Sequence, residues 1–139
     1  MVALIEVTNN LESIGDIVET NVISFGFSRL DQELVVSDAT RKVLEEFESA
    51  VEEAFDLAMA AVTQKDHAAA RRVRVMKSEI NSMEHAASLH QAQRLTADEP
   101  KRIENYRLEI DVIANLKRIY YFSKRIARMA IPADAREPL

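Results

Sequence analysis

A chain of 139 residues with a formal net charge of -5 fits one domain with a modest core, and it lacks the basic surface that a general nucleic-acid binder needs. With 2 glycines, 3 prolines, no tryptophan and an aromatic share of 6%, it has little material for hairpin turns, so an all-α fold packed through Leu, Ile, Val, Ala and five Phe is expected. The lack of cysteine excludes disulfides, thiolate metal sites and cysteine nucleophiles and suits a reducing cytoplasm. No run approaches the roughly 18 apolar residues of a spanning helix, and no basic-then-apolar signal peptide opens the chain, so a soluble product is expected.

Leu4, Leu11, Val18 and Phe25 recur every seven residues with Val7, Ile14 and Asn21 between them. This a/d seam predicts a first helix from about Val2 to Phe27. From Gly26 to Val36 the spacing is lost and a connector is expected, after which Ser37-Asp38 offers N-cap chemistry. The second helix starts near Asp38, with Leu44, Phe47, Val51, Ala54, Ala58 and Ala61 inward and Glu45, Glu46, Glu48, Glu52 and Glu53 outward, and fades near Gln64-Lys65-Asp66. Asp66 is the expected N-cap of a third helix, which carries Ala70, Val73, Met76, Ile80, Met83, Ala87 and His90 and ends near Leu95. Thr96 to Pro100 predicts a short turn, with Pro100 in the first turn of the last helix, where its missing N–H costs nothing. That helix should bury Ile103, Tyr106, Ile110, Ile113, Leu116, Ile119 or Tyr120, Ile126 and Met129 and run to about Ala130. Short links predict that residues 38–131 form an up-and-down antiparallel three-helix bundle. The first helix then rests on that bundle, pairs with another chain, or belongs to a bundle whose other helices are missing.

Glu12, Asp16 and Glu19 stand at i, i+4 and i+7 on one stripe, a spacing suited to a hard divalent cation and equally to a solvated acidic face. His67, His85 and His90 make neither the His-x-x-x-His nor the Glu-x-x-His pairing of zinc and di-iron bundles and read as boundary residues. The basic run Arg71 to Lys77, with Lys117, Arg118, Lys124, Arg125 and Arg128, suits phosphate, an acidic membrane surface or an acidic partner. Pairing with the Glu-rich second helix is the simpler expectation. Asn10, Asn21 and Asn115 fall on or beside the apolar seams, where Asn sets register. Nucleophile elbows and phosphate-gripping glycine loops are absent, and no enzyme activity is expected.

Asn10-Leu11-Glu12-Ser13-Ile14-Gly15-Asp16 resembles the Asp-Leu-Glu-Arg-Ile-Gly-Asp signature of the PhoU family, which regulates phosphate uptake. Asn115-Leu116-Lys117-Arg118-Ile119-Tyr120-Tyr121 follows the same pattern. PhoU proteins are two tandem three-helix bundles with the signature on each third helix. The resemblance therefore implies one PhoU-like domain over residues 1–139: residues 1–29 are the last helix of a first, incomplete repeat, and residues 38–131 are the second repeat. Asn9 to Asn21 and Asp111 to Ile119 further resemble the PhoU-like C-terminal region of bacterial sodium/phosphate cotransporters.

That resemblance implies a cytosolic regulatory or interaction domain of phosphate transport, tethered to the inner face of the cell membrane as part of a larger carrier. Its implied partners are the carrier's membrane domain or a regulatory protein, and a second copy through the first helix. It also implies divalent or iron/zinc-type metal ions on the Glu12/Asp16 motif, to which the helical spacing adds Glu19. Lys117 and Tyr121 replace the family's Glu and Asp, so only the first half of such a site carries over. The alternatives are a metal-binding helical-bundle protein and a helical adaptor without a phosphate role.

Overall fold

The computed structural model describes residues 2–22, 26, 30, 34–98 and 100–136, and among the described residues every regular element is helical. In chain order these are α1 (Val2–Asp16), continued by a π-helical turn (Ile17–Val22), then α2 (Asp38–Thr63), α3 (His67–Arg94), α4 (Arg102–Met129) and a short 3-10 turn (Ala133–Ala135). The all-α, up-and-down architecture expected from the sequence is the one observed.

The starts of α2 and α3 follow from their caps. Ser37 Oγ accepts the Thr40 N–H at 3.2 Å, and Asp66 Oδ1 accepts those of Ala68 and Ala69 at 2.9 and 3.0 Å, covering donors that the helix itself leaves unpaired. Both tight turns bend through a lysine in the left-handed region, Lys65 at φ 55° and Lys101 at φ 56°. Glycine is the usual residue there, and a side chain at such a bend costs roughly 1 kcal/mol. Lys101 precedes Arg102, so Pro100 lies in the turn and α4 begins two residues later than the expectation that placed Pro100 in its first turn.

Phe47, Ala54 and Ala58 of α2, Val73, Met76 and Ile80 of α3, and Ile113, Leu116, Tyr120 and Ile126 of α4 fill the centre of the bundle. The alanines let the axes close up, and the long side chains interdigitate across the seam. Tyr120, only 2% exposed, donates from Oη to the Val73 carbonyl at 2.9 Å and so ties α4 to α3. Cross-helix pairs set the antiparallel order: Thr40 with His90, Glu53 with Arg72, and Gln91 with Arg102.

α1 packs chiefly on α4 and runs antiparallel to it. Ala3, Leu4 and Val7 share a crevice with Met129 and Ala130, whereas Asn21 Nδ2 donates to Asn115 Oδ1 at 3.1 Å. Its buried face is Val7, Asn10, Ile14 and Ile17. This corrects the heptad reading, because Leu4 is 66% and Val18 43% exposed. A two-sided seam needs two neighbours along its length, and among the described residues α1 packs throughout on α4 and nears the end of α2 only at its start. The backbone widens into the π-turn from Ile17 onward, where the Thr20 hydroxyl donates to the Asp16 carbonyl. Of the expected connector, Gly26 and Leu30 are helical, while residues 34–37 have no regular structure. Phe25 and Phe27 lie outside the described residues.

The last helix departs from its predicted stripe over its first two turns. Ile103 is 60% exposed, and the inward line is Arg102, Asn105 and Glu109, which joins the apolar stripe only at Ile113. The apolar residues Ile103, Tyr106 and Ile110 mark a neighbouring stripe about 100° away. The bundle end is polar on all three helices: Gln91 of α3 accepts from Arg102 of α4, and the buried Thr40 of α2 pairs with His90 of α3.

Candidate interaction faces

Glu12, Asp16 and Glu19 all face outward from α1 and its π-turn. Among the described residues no three His, Asp or Glu side chains are grouped so as to hold a metal ion. The π-turn begins between Asp16 and Glu19 and turns the third carboxylate out of the i, i+7 register that an unbroken helix would give. The trio therefore does not fit a closed ion cage by itself.

The two signature-like stretches, on α1 and α4, face each other through these antiparallel helices. Asn10, 6% exposed, donates to the Glu6 carbonyl, and Asn21 meets Asn115. Of the three asparagines, Asn21 and Asn115 bond across the two helices, whereas Asn10 bonds within its own. Lys117 pairs with Glu84 of α3, and Tyr121 lies under the Arg125 guanidinium at 5.7 Å from its ring centre. Both residues thus serve helix contacts where the family signature has carboxylates.

The histidines are spread along α3: His67 and His85 are exposed, and His90 Nε2 lies 3.2 Å from Thr40 Oγ1. Of the basic run, Arg72 reaches Glu53 of α2 at 3.5 Å, as the charge pattern suggested, but Lys117 turns to α3. Lys77, Lys117 and Lys124 gather on the α3–α4 side. Burial pushes the Lys124 ammonium below the usual lysine range, and the charges of Lys77 and Lys117 push the same way.

A cavity of about 380 Å³ opens where α2 and α4 begin, lined by Leu34, Val35, Ser37, Arg94, Lys101 and Asn105. Behind it lies the feature that sequence reasoning missed. Arg102 Nη2 donates to Glu109 Oε2 at 2.8 Å and to Gln91 Oε1 at 3.1 Å, with Gln91 at 0% and Glu109 at 1% exposure. Glu109 Oε1 and Gln91 Nε2 are buried without a hydrogen-bond partner. The only available signal was the i, i+7 spacing of Arg102 and Glu109, two turns apart on one face.

Among the described residues no helix is long and apolar enough to cross a membrane. Comparison with curated proteins and with solved structures yields no match. The family model for the PhoU domain matches residues 44–130, which run from the second turn of α2 to the end of α4 and hold the whole three-helix core. That span is more than half of the sequence, and the chain belongs to the PhoU family.

Proposed function

We propose that this chain is a cytosolic regulatory domain of phosphate transport, and specifically the PhoU-like domain that works with a sodium/phosphate cotransporter. The PhoU match over the bundle carries the phosphate connection. The cotransporter reading is supported by the signature-like stretches that meet through Asn21 and Asn115. In this reading the domain acts by contact: a rigid bundle presents α1 to a partner, and no group in it performs a covalent step. Sodium-driven phosphate uptake into vesicles carrying a cotransporter membrane domain tests it. Adding the chain should change the uptake rate, and the chain should sediment with those vesicles. Unchanged uptake without co-sedimentation removes the cotransporter role.

One further part of the proposal concerns α1, whose exposed Leu4, Ile5 and Val18 suit a partner helix while its uniform negative charge opposes a second copy of the chain. A divalent cation at Glu12, Asp16 and Glu19 enters only as a shared site whose remaining donors come from outside this chain. Metal analysis of the vesicle-bound complex should then show a divalent ion that Glu12→Ala/Asp16→Ala removes. An unchanged metal content would discard it.

A further inference from the structure

We propose that the outward face of α1 is a docking site for a basic amphipathic helix of another polypeptide. This rests on the interaction-domain reading and names the chemistry of the partner. The first observation is packing: α1 lies chiefly against α4 and leaves Leu4 at 66%, Ile5 at 55% and Val18 at 43% exposure. These are large apolar side chains on a helix otherwise well seated through Val7, Ile14 and Ile17. Leu4 and Leu11 lie within about 20° of each other around the helix axis, directly beside the buried face.

The second observation is charge. Residues 2–22 carry Glu6, Glu12, Asp16 and Glu19 and no Lys, Arg or His. Around the helix, Glu12 and Asp16 follow Leu4 by roughly 80–120°, with Thr8 and Gly15 between them. A Cβ added at Gly15 would meet nothing within 4 Å, so a backbone can approach closely there. A helix seated on Leu4 and Leu11 therefore crosses a low saddle, and its far flank comes to rest on the carboxylates. Lysine or arginine at that flank completes the arrangement seen between charged flanking positions of paired helices.

Charge complementarity also discriminates against a second copy as the occupant. Two α1 faces brought together set carboxylates against carboxylates, with no cation on either helix to relieve them. The net charge of -5 on the whole chain adds to that repulsion and steers a cationic segment inward.

Three synthetic helical peptides test this against the full chain by fluorescence anisotropy. The first has a Leu/Ile heptad seam with lysine flanks, the second the same seam with glutamate flanks, and the third the lysine peptide with its seam scrambled. The first should bind at least about tenfold more tightly than the other two and weaken as salt is raised. Leu4→Glu/Val18→Glu, at exposed positions, should abolish binding while circular dichroism shows the bundle intact. Glu12→Lys/Asp16→Lys/Glu19→Lys should reverse the preference between the two flanks. Equal binding of the scrambled peptide overturns the site, since charge alone then suffices. So does a stable dimer that Leu4→Glu dissolves, since a second copy is then the occupant. The readout contains no phosphate, so unchanged uptake with selective peptide binding removes only the phosphate role, and the reverse pattern removes only the docking site.

Discussion

Arg102, Gln91 and Glu109 show how one polar group commits its neighbours. A guanidinium with 6% exposure is held by a carboxylate with 1%, and Gln91, fully buried, accepts from the same nitrogen. Removing one partner from such a set leaves the other charge buried and uncompensated, which costs about 3–5 kcal/mol, whereas replacing the whole set by apolar groups is often neutral or stabilising. Glu109→Ala should therefore lower urea-unfolding stability by about 3 kcal/mol or more, and Gln91→Leu/Arg102→Met/Glu109→Leu should recover most of that loss. A cost of less than about 1 kcal/mol for the single change would show that the ion pair does not carry its charge in a dry interior. This set was not legible in the chain, because an Arg and a Glu seven residues apart look the same on a solvated face. Which face is solvated was set by the apolar residues beside them, and Ile103, Tyr106 and Ile110 pointed to the adjacent stripe.

At the level of elements, legibility depended on whether the apolar residues of a helix alone mark its buried face, which fails at the polar start of α4. α2 and α3 each contact two other helices, and their expected stripes of Phe47, Val51 and Ala54 and of Val73, Met76 and Ile80 are the buried ones. Their caps at Ser37 and Asp66 were legible as well, since capping needs only the side chain and the next few amides. α1 was half legible. Its period announced a helix, but the sequence cannot say that one neighbour runs along it where a two-sided seam is written, so Leu4 and Val18 were assigned to an interior that α4 alone does not provide. The π-turn was illegible for a different reason: Thr20 donates to the Asp16 carbonyl, but Thr8 and Thr63 make the same bond one turn back inside regular α-helix, so no residue of the stretch announces it. Of the candidate site, the outward placement of Glu12, Asp16 and Glu19 was readable from their offset to the seam, whereas their phase relative to one another was not.

The whole bundle answers to pH through the ring that joins two of its helices. Burial pushes the Tyr120 hydroxyl from 10.0 up to about 12, and its proton bridges to the Val73 carbonyl. The native state therefore holds that proton more tightly than the unfolded chain does. Its contribution is complete below about pH 10 and is lost as pH rises from 10 toward 12, while the unfolded chain already ionises. A displacement of that size corresponds to roughly 2–3 kcal/mol of global stability. Lys124 acts in the opposite direction, because a lowered ammonium value means that the folded state sheds its proton first and gains stability as pH climbs through that range. Both groups titrate in wild type, but only Lys124 remains in Tyr120→Phe, so the difference between the two proteins isolates the tyrosine. At neutral pH Tyr120→Phe should cost about 1 kcal/mol for the lost hydrogen bond, since the apolar ring still fills its place. Above about pH 10 the two stability curves should converge and then cross, with the phenylalanine variant the more resistant to alkali. Denaturant melts followed by circular dichroism at stepped pH measure this directly, and parallel curves would show that the Tyr120 ring does not reside between α3 and α4.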